Sequence, residues 1–125
     1  MPVQNYRGLI AWQKAMELVK MIYELTKKFP REEMFGLTSQ IRRAAVSIPS
    51  NIAEGQGRRS TKEFLRHLSI SHGSLRETET QNLIAEMQGY ISAEESKDVM
   101  DRCAEIGRLI NGLANSLKDK ENRDT

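Results

Sequence analysis

Apolar residues recur along the chain at three- and four-residue intervals, and no stretch sustains strict alternation, so the pattern predicts helices and no strands. From about Leu9 to Lys28, Trp12, Ala15, Val19, Ile22 and Phe29 keep near-heptad spacing. Phe29-Pro30 closes the segment, because a residue before proline is driven out of the helical region. The same stretch also carries Leu9, Met16, Leu18, Tyr23 and Leu25. Its apolar arc is wider than one bundle seam requires, which points to burial against a second copy of the chain.

A second helix is expected from about Leu37 to Glu54, with Ile41, Ala45, Ile48 and Ile52 on one face and Thr38 or Ser39 as N-cap. Its small residues, Ala44, Ala45, Ser47, Ser50 and Ala53, allow a neighbouring helix to approach closely. Pro49 predicts a bend, and Gly55 and Gly57 predict a C-terminal cap of positive φ. The third helix opens at the capping box Ser60-Thr61-Lys62-Glu63 and runs through Phe64, Leu65, Leu68, Leu75, Leu83, Ile84 and Met87 to Gly89. Its middle is polar: Ser69, Ser71, His72, Gly73 and Ser74 fall at core-like depth, which implies tight helix contact or a polar patch facing a channel. The fourth follows a second box, Ser92-Ala93-Glu94-Glu95, and places Val99, Cys103, Ile106, Ile110, Leu113 and Leu117 at spacings of 4, 3, 4, 3 and 4.

Four helices with short loops predict an all-α, antiparallel up-down-up-down four-helix bundle, its second helix bent at Pro49. At 125 residues one domain is expected, with a core over about 9–117 and a flexible C-terminal tail over 118–125, which has no apolar residue.

Composition adds limits. The single Cys103 cannot form an intramolecular disulfide, no leader-like segment is present, and no run of about 18 apolar residues occurs, so a cytoplasmic protein with no membrane span is expected. Net charge is +2, but residues 1–66 carry +6 and residues 67–125 carry −4. Such asymmetry fits a surface for polyanions or complementary faces between copies.

Chemistry of other kinds finds little support. His67 and His72 are five apart rather than the four that aligns a helical ligand pair, no E-x-x-H occurs, and Gly55-Gln56-Gly57 is not a phosphate loop. No enzymatic activity, metal or cofactor is expected. Cys103, in an a/d position, reads as a buried inert thiol, and Trp12 and Tyr23 as core or subunit contacts.

What remains is basic. Between Gln40 and Arg66 lie six cations, Arg42, Arg43, Arg58, Arg59, Lys62 and Arg66, against two anions. Arg58 and Arg59 precede a helix N-terminus, whose free amides favour an anion. The cluster is the candidate site for RNA or DNA phosphates; the alternative is a protein-interaction module docking a nucleic-acid-processing partner.

The runs "AWQKAMELVKMIYELTKKFP", "FGLTSQIRRAAVSIPSNIAEGQGR" and "EFLRHLSISHGSLRETETQ" followed by "GYI" resemble the four-helix-bundle family encoded within 23S rRNA intervening sequences, from about Leu9 to Leu117. The resemblance implies a non-catalytic antiparallel bundle that assembles as a homopentamer around a central channel. It extends to the accessory variability protein of diversity-generating retroelements, which binds nucleic acid through a basic surface and engages a reverse transcriptase. The family motif falls on Gln40, Arg42, Arg43, Ser47, Asn51, Glu54, Gly55, Gly57 and Arg58, then on Gly73, Ser74 and Glu77. Its polar members Asn51, Glu54 and Glu77 imply an internal network between the second and third helices, with Arg42 or Arg43 as a structural complement.

Overall fold

The computed structural model describes residues 5–124. After a 3-10 turn at Tyr6–Gly8, the helices are α1 (Ile10–Thr26), α2 (Leu37–Gln56), α3 (Thr61–Met87) and α4 (Ala93–Asp124), with a second 3-10 turn at Arg31–Glu33. No strand occurs among the described residues. The pairs α2–α3, α3–α4 and α1–α4 run antiparallel, because the numbers of facing residues climb on one helix as they fall on the other. On α2 and α3, Ser47 meets Ser74, Ile48 meets Ser71 and Asn51 meets His67. On α3 and α4, Gly107 lies against Leu75 and Ser96 bonds Asn82. On α1 and α4, Arg102 pairs with Glu17 and Glu95 with Lys28. Around the bundle, α1 neighbours α2 and α4, and α3 stands diagonally opposite it.

The core follows from helical periodicity. Ala11, Ala15, Leu18 and Ile22 of α1 meet Ile41, Ala45, Ile48 and Ile52 of α2, Leu68, Leu75 and Ala85 of α3, and Val99, Cys103, Ile106 and Ile110 of α4. The α4 seam is the one its spacing predicts. On α1 the seam is rotated from the expected one: Leu18 is fully buried, whereas Trp12 and Val19 pack at its edge. The expected α3 seam requires a larger correction. Leu83, Ile84 and Met87 are exposed, while His67, Ser71, Ser74, Thr78 and Asn82 point inward. Polar side chains hold these inner positions because small residues of α2 bring the two backbones close enough for hydroxyls to find partners.

The ends of the helices follow, in part, the capping patterns. Ser60 Oγ accepts from Glu63 N at 3.2 Å. The second box closes in both directions, Glu95 N donating to Ser92 Oγ at 3.0 Å and Ser92 N to Glu95 Oε1 at 2.9 Å. Neither Thr38 nor Ser39 caps α2. Gly36 is the N-cap, and the Glu33 carboxylate accepts from Leu37 N at 3.0 Å in place of a capping side chain. Pro49 lies buried within a continuous α2. Gly55 is inside the helix and Gly57 caps it at φ −76°, so neither provides the positive φ expected of it; Gly89, at φ 78°, is the residue that does. Beyond Leu117, where fraying was expected, α4 continues to Asp124 with residues 118–123 exposed.

Candidate nucleic-acid interface

The α2–α3 seam sets the position of every candidate cation. A Cβ added at Gly55 would stand 2.7 Å from His67 Cβ, so glycine allows the two backbones to close at the basic end. Nearby, Asn51 donates its amide to Ser47 O and Oγ, both at 3.0 Å, which turns its Oδ1 toward His67 Nδ1, also at 3.0 Å. The proton of the imidazole therefore sits on Nδ1, and Nε2 faces Arg66 Nη2 at 3.4 Å. Ser74 Oγ donates to Ser47 Oγ at 2.8 Å and Ser71 Oγ to Ile48 O at 2.8 Å. The network is thus built from Asn51, His67 and serines. Of the three residues expected in it, Glu54 and Glu77 fall outside: Glu54 is exposed and pairs with Arg58, and Glu77 is exposed on the rim of a polar groove with Arg43, Ser47, Ser74 and Gln81.

The six cations divide by what they touch. Arg42 is structural: its Nε donates to Thr26 Oγ1 at 2.8 Å and its guanidinium lies 4.6 Å from the centre of the Tyr23 ring. Arg58 bonds Glu54 at 3.0 Å, and Arg66 bonds Glu63 at 3.3 Å and 3.4 Å. That bond, with the attraction of the same guanidinium, holds the Glu63 carboxyl below its usual range. Arg43, Arg59 and Lys62 are exposed and form no ion pair among the described residues. Each Arg-Arg pair therefore has one engaged member and one free member. Arg59 and Lys62 flank Ser60, the N-cap of the 27-residue α3, where backbone N–H groups of the first turn add to the positive field. Arg43 stands apart, roughly 21 Å up α2 from the turn at 1.5 Å per residue.

Elsewhere the chemistry is quiet. Burial pushes the Cys103 thiol up to about 12, and no group of three or more His, Cys, Asp or Glu residues able to hold a metal occurs among the described residues. Trp12 is half-buried and meets Tyr6 edge-on, with ring centres 5.2 Å apart. Sequence periodicity missed two residues. His67 carried no sign of its role except that a glycine-containing turn brings Asn51 opposite it. Phe35 falls between the first two expected helices, outside any periodic pattern, and is 93% exposed.

A profile for the family described as 23S rRNA-intervening sequence protein matches residues 7–112. The chain is also similar to the crystal structure of a protein of unknown function from the S23 ribosomal protein family of Bacteroides thetaiotaomicron. That likeness has a TM-score of 0.78 at 26% identity and covers 84% of this chain and 98% of the other. No curated protein matches the sequence.

Proposed function

The chain belongs to the 23S rRNA-intervening sequence protein family, and from that premise we propose that it is a non-catalytic, self-associating bundle whose α2–α3 turn binds the phosphate backbone of RNA or DNA. The observation that carries this reading is the pair of free cations, Arg59 and Lys62, beside the exposed N-terminus of a long helix. Neither the Arg59 guanidinium nor the Lys62 ammonium has an ion-pair partner among the described residues, and the first-turn N–H groups other than that of Glu63, which Ser60 Oγ caps, would add to their hold on a phosphate. Arg58 and Arg66 add positive field at the cost of displacing Glu54 and Glu63. Contacts of this kind release counterions and carry little sequence information.

A salt titration tests the reading. Replacing Arg59 and Lys62 together by alanine is expected to flatten the slope of log K against log salt on duplex DNA by about 2, since each neutralised phosphate contributes about 0.9. Arg58→Ala is expected to change it less. An unchanged slope, or a wild-type protein that binds no nucleic acid and returns a stable protein partner instead, would favour the docking-module alternative.

Self-association rests on a separate observation. Besides the four residues that cluster around Phe35, namely Tyr23, Met34, Val46 and Phe35 itself, the exposed large apolar residues lie on two helices: Ile10 and Met16 of α1, and Ile70, Leu83, Ile84 and Met87 of α3. α1 and α3 stand diagonally in the bundle, so their outer sides are separate faces. A head-to-tail contact between unlike patches gives a ring when the rotation between copies closes, and five copies is the number the family resemblance implies. A monomeric mass by light scattering would refute the assembly.

A further inference from the structure

At the end of the bundle away from the α2–α3 turn, a cleft of about 560 Å³ opens between α1, Met34 and Phe35 of the connection that follows it, and the start of α2. Its walls join unlike groups. Phe35, 93% exposed, and Met34 form an apolar lip, Ser39 offers a hydroxyl, and the guanidiniums of Arg42 and Arg43 form the basic side. Arg42 is committed to Tyr23 and Thr26, but Arg43 has no carboxylate partner among the described residues.

We infer that this cleft receives one unpaired nucleotide of a single strand, its base stacked on the ring of Phe35 and its phosphate held by Arg43. The inference rests on the nucleic-acid reading above and deepens it by naming the strand form. An exposed aromatic face gains free energy from stacking on any base, and a base is free to stack on protein only where it is unpaired. The neighbouring cation meets the phosphate that every nucleotide carries. A purely apolar occupant, such as a side chain of a second copy, would cover Phe35 while stripping water from the unpaired guanidinium of Arg43, which is costly. A nucleotide satisfies both groups. The volume also falls within the roughly 300–1,000 Å³ of small-molecule sites. Arg59 and Lys62 lie past the far end of α2, which ends roughly 21 Å from Arg43 at 1.5 Å per residue.

The experiment compares a fluorescently labelled single-stranded oligonucleotide with the duplex of the same sequence, using the full chain and the variants Phe35→Ala, Phe35→Leu, Phe35→Tyr and Arg43→Gln. Phe35 adds nothing to the core, so the alanine variant is expected to keep the wild-type circular dichroism spectrum and urea midpoint. Phe35→Ala and Phe35→Leu are expected to weaken single-strand binding about 5- to 150-fold, which is the 1–3 kcal/mol of one base stack, and to leave duplex binding unchanged. Phe35→Tyr should retain the wild-type affinity, and Arg43→Gln should weaken single-strand binding with a shallower salt slope. Leucine that binds as well as phenylalanine, equal losses on single strand and duplex, or a native mass that falls in Phe35→Ala would each overturn the stacking site; the last would assign the cleft to a second copy. If Arg59 and Lys62 still govern the salt slope while Phe35→Ala is silent, this inference fails alone. Wild-type protein that binds neither form overturns both readings.

Discussion

Gly55 decides how near α2 and α3 come, because its missing Cβ would lie 2.7 Å from His67 Cβ and 3.0 Å from Phe64 Cδ1. Gly55→Ala is expected to destabilise the fold by about 1–3 kcal/mol, the usual cost of overpacking, as read from urea unfolding. Gly112→Ala is the control: nothing lies within 4 Å of that position, and removing a mid-helix glycine should add about 0.5–1 kcal/mol. Cys103 gives a second residue-scale test. With its thiol pushed up to about 12 by burial, it should resist alkylation at pH 8 in the native protein and react once urea unfolds the chain. This thiol was legible from its a/d spacing, as were the caps at Ser60 and Ser92. The difference between Arg42 and Arg43 was not. Neighbours in sequence point about 100° apart on a helix, and only the position of Tyr23 on another helix determines which guanidinium is engaged.

Among the elements, α2 and α3 departed most from their periodicity. The hydrophobic pattern of α3 places Leu83, Ile84 and Met87 inside, but the helix turns its serines inward because hydrogen bonds to α2 are available only at the close approach that Gly55 and Ser47 permit. The start of α2 is similarly non-local, since its N–H is satisfied by Glu33 from the preceding turn. The Leu37 N–H, and after it the Tyr90 hydroxyl, hold the Glu33 carboxyl below its ordinary value of 4.5. A carboxyl lowered by folding stabilises the native state above its ordinary range, and that stability is lost as pH falls through the folded value. Glu33→Gln should therefore lower the urea midpoint at pH 7 and flatten its decline below about pH 4.5, with the two proteins converging in acid. If their difference persists unchanged at pH 2, Glu33 acts through packing rather than through its charge.

For the whole molecule, the order of the helices and one continuous core could be read from the chain, and the outer surface could not, because an exposed apolar residue such as Met16 or Leu83 looks like core in a single sequence. The two-patch arrangement has a test that a symmetric dimer would fail. Met16→Glu should damage one face and Leu83→Glu the other, so each variant alone is expected to be monomeric by light scattering. Mixed, they retain one intact pair of unlike faces and should form a heterodimer. A last consequence concerns motion. The serine hydroxyls of α3 are fixed on α2, and a slip of one helical turn would carry them about 5.4 Å from their acceptors. By contrast, α1 is tied to α4 by surface ion pairs of Lys28 with Glu95 and Glu17 with Arg102. The pair α2 and α3 is then a stiff spine, and the amides at its centre should exchange slowest of the bundle.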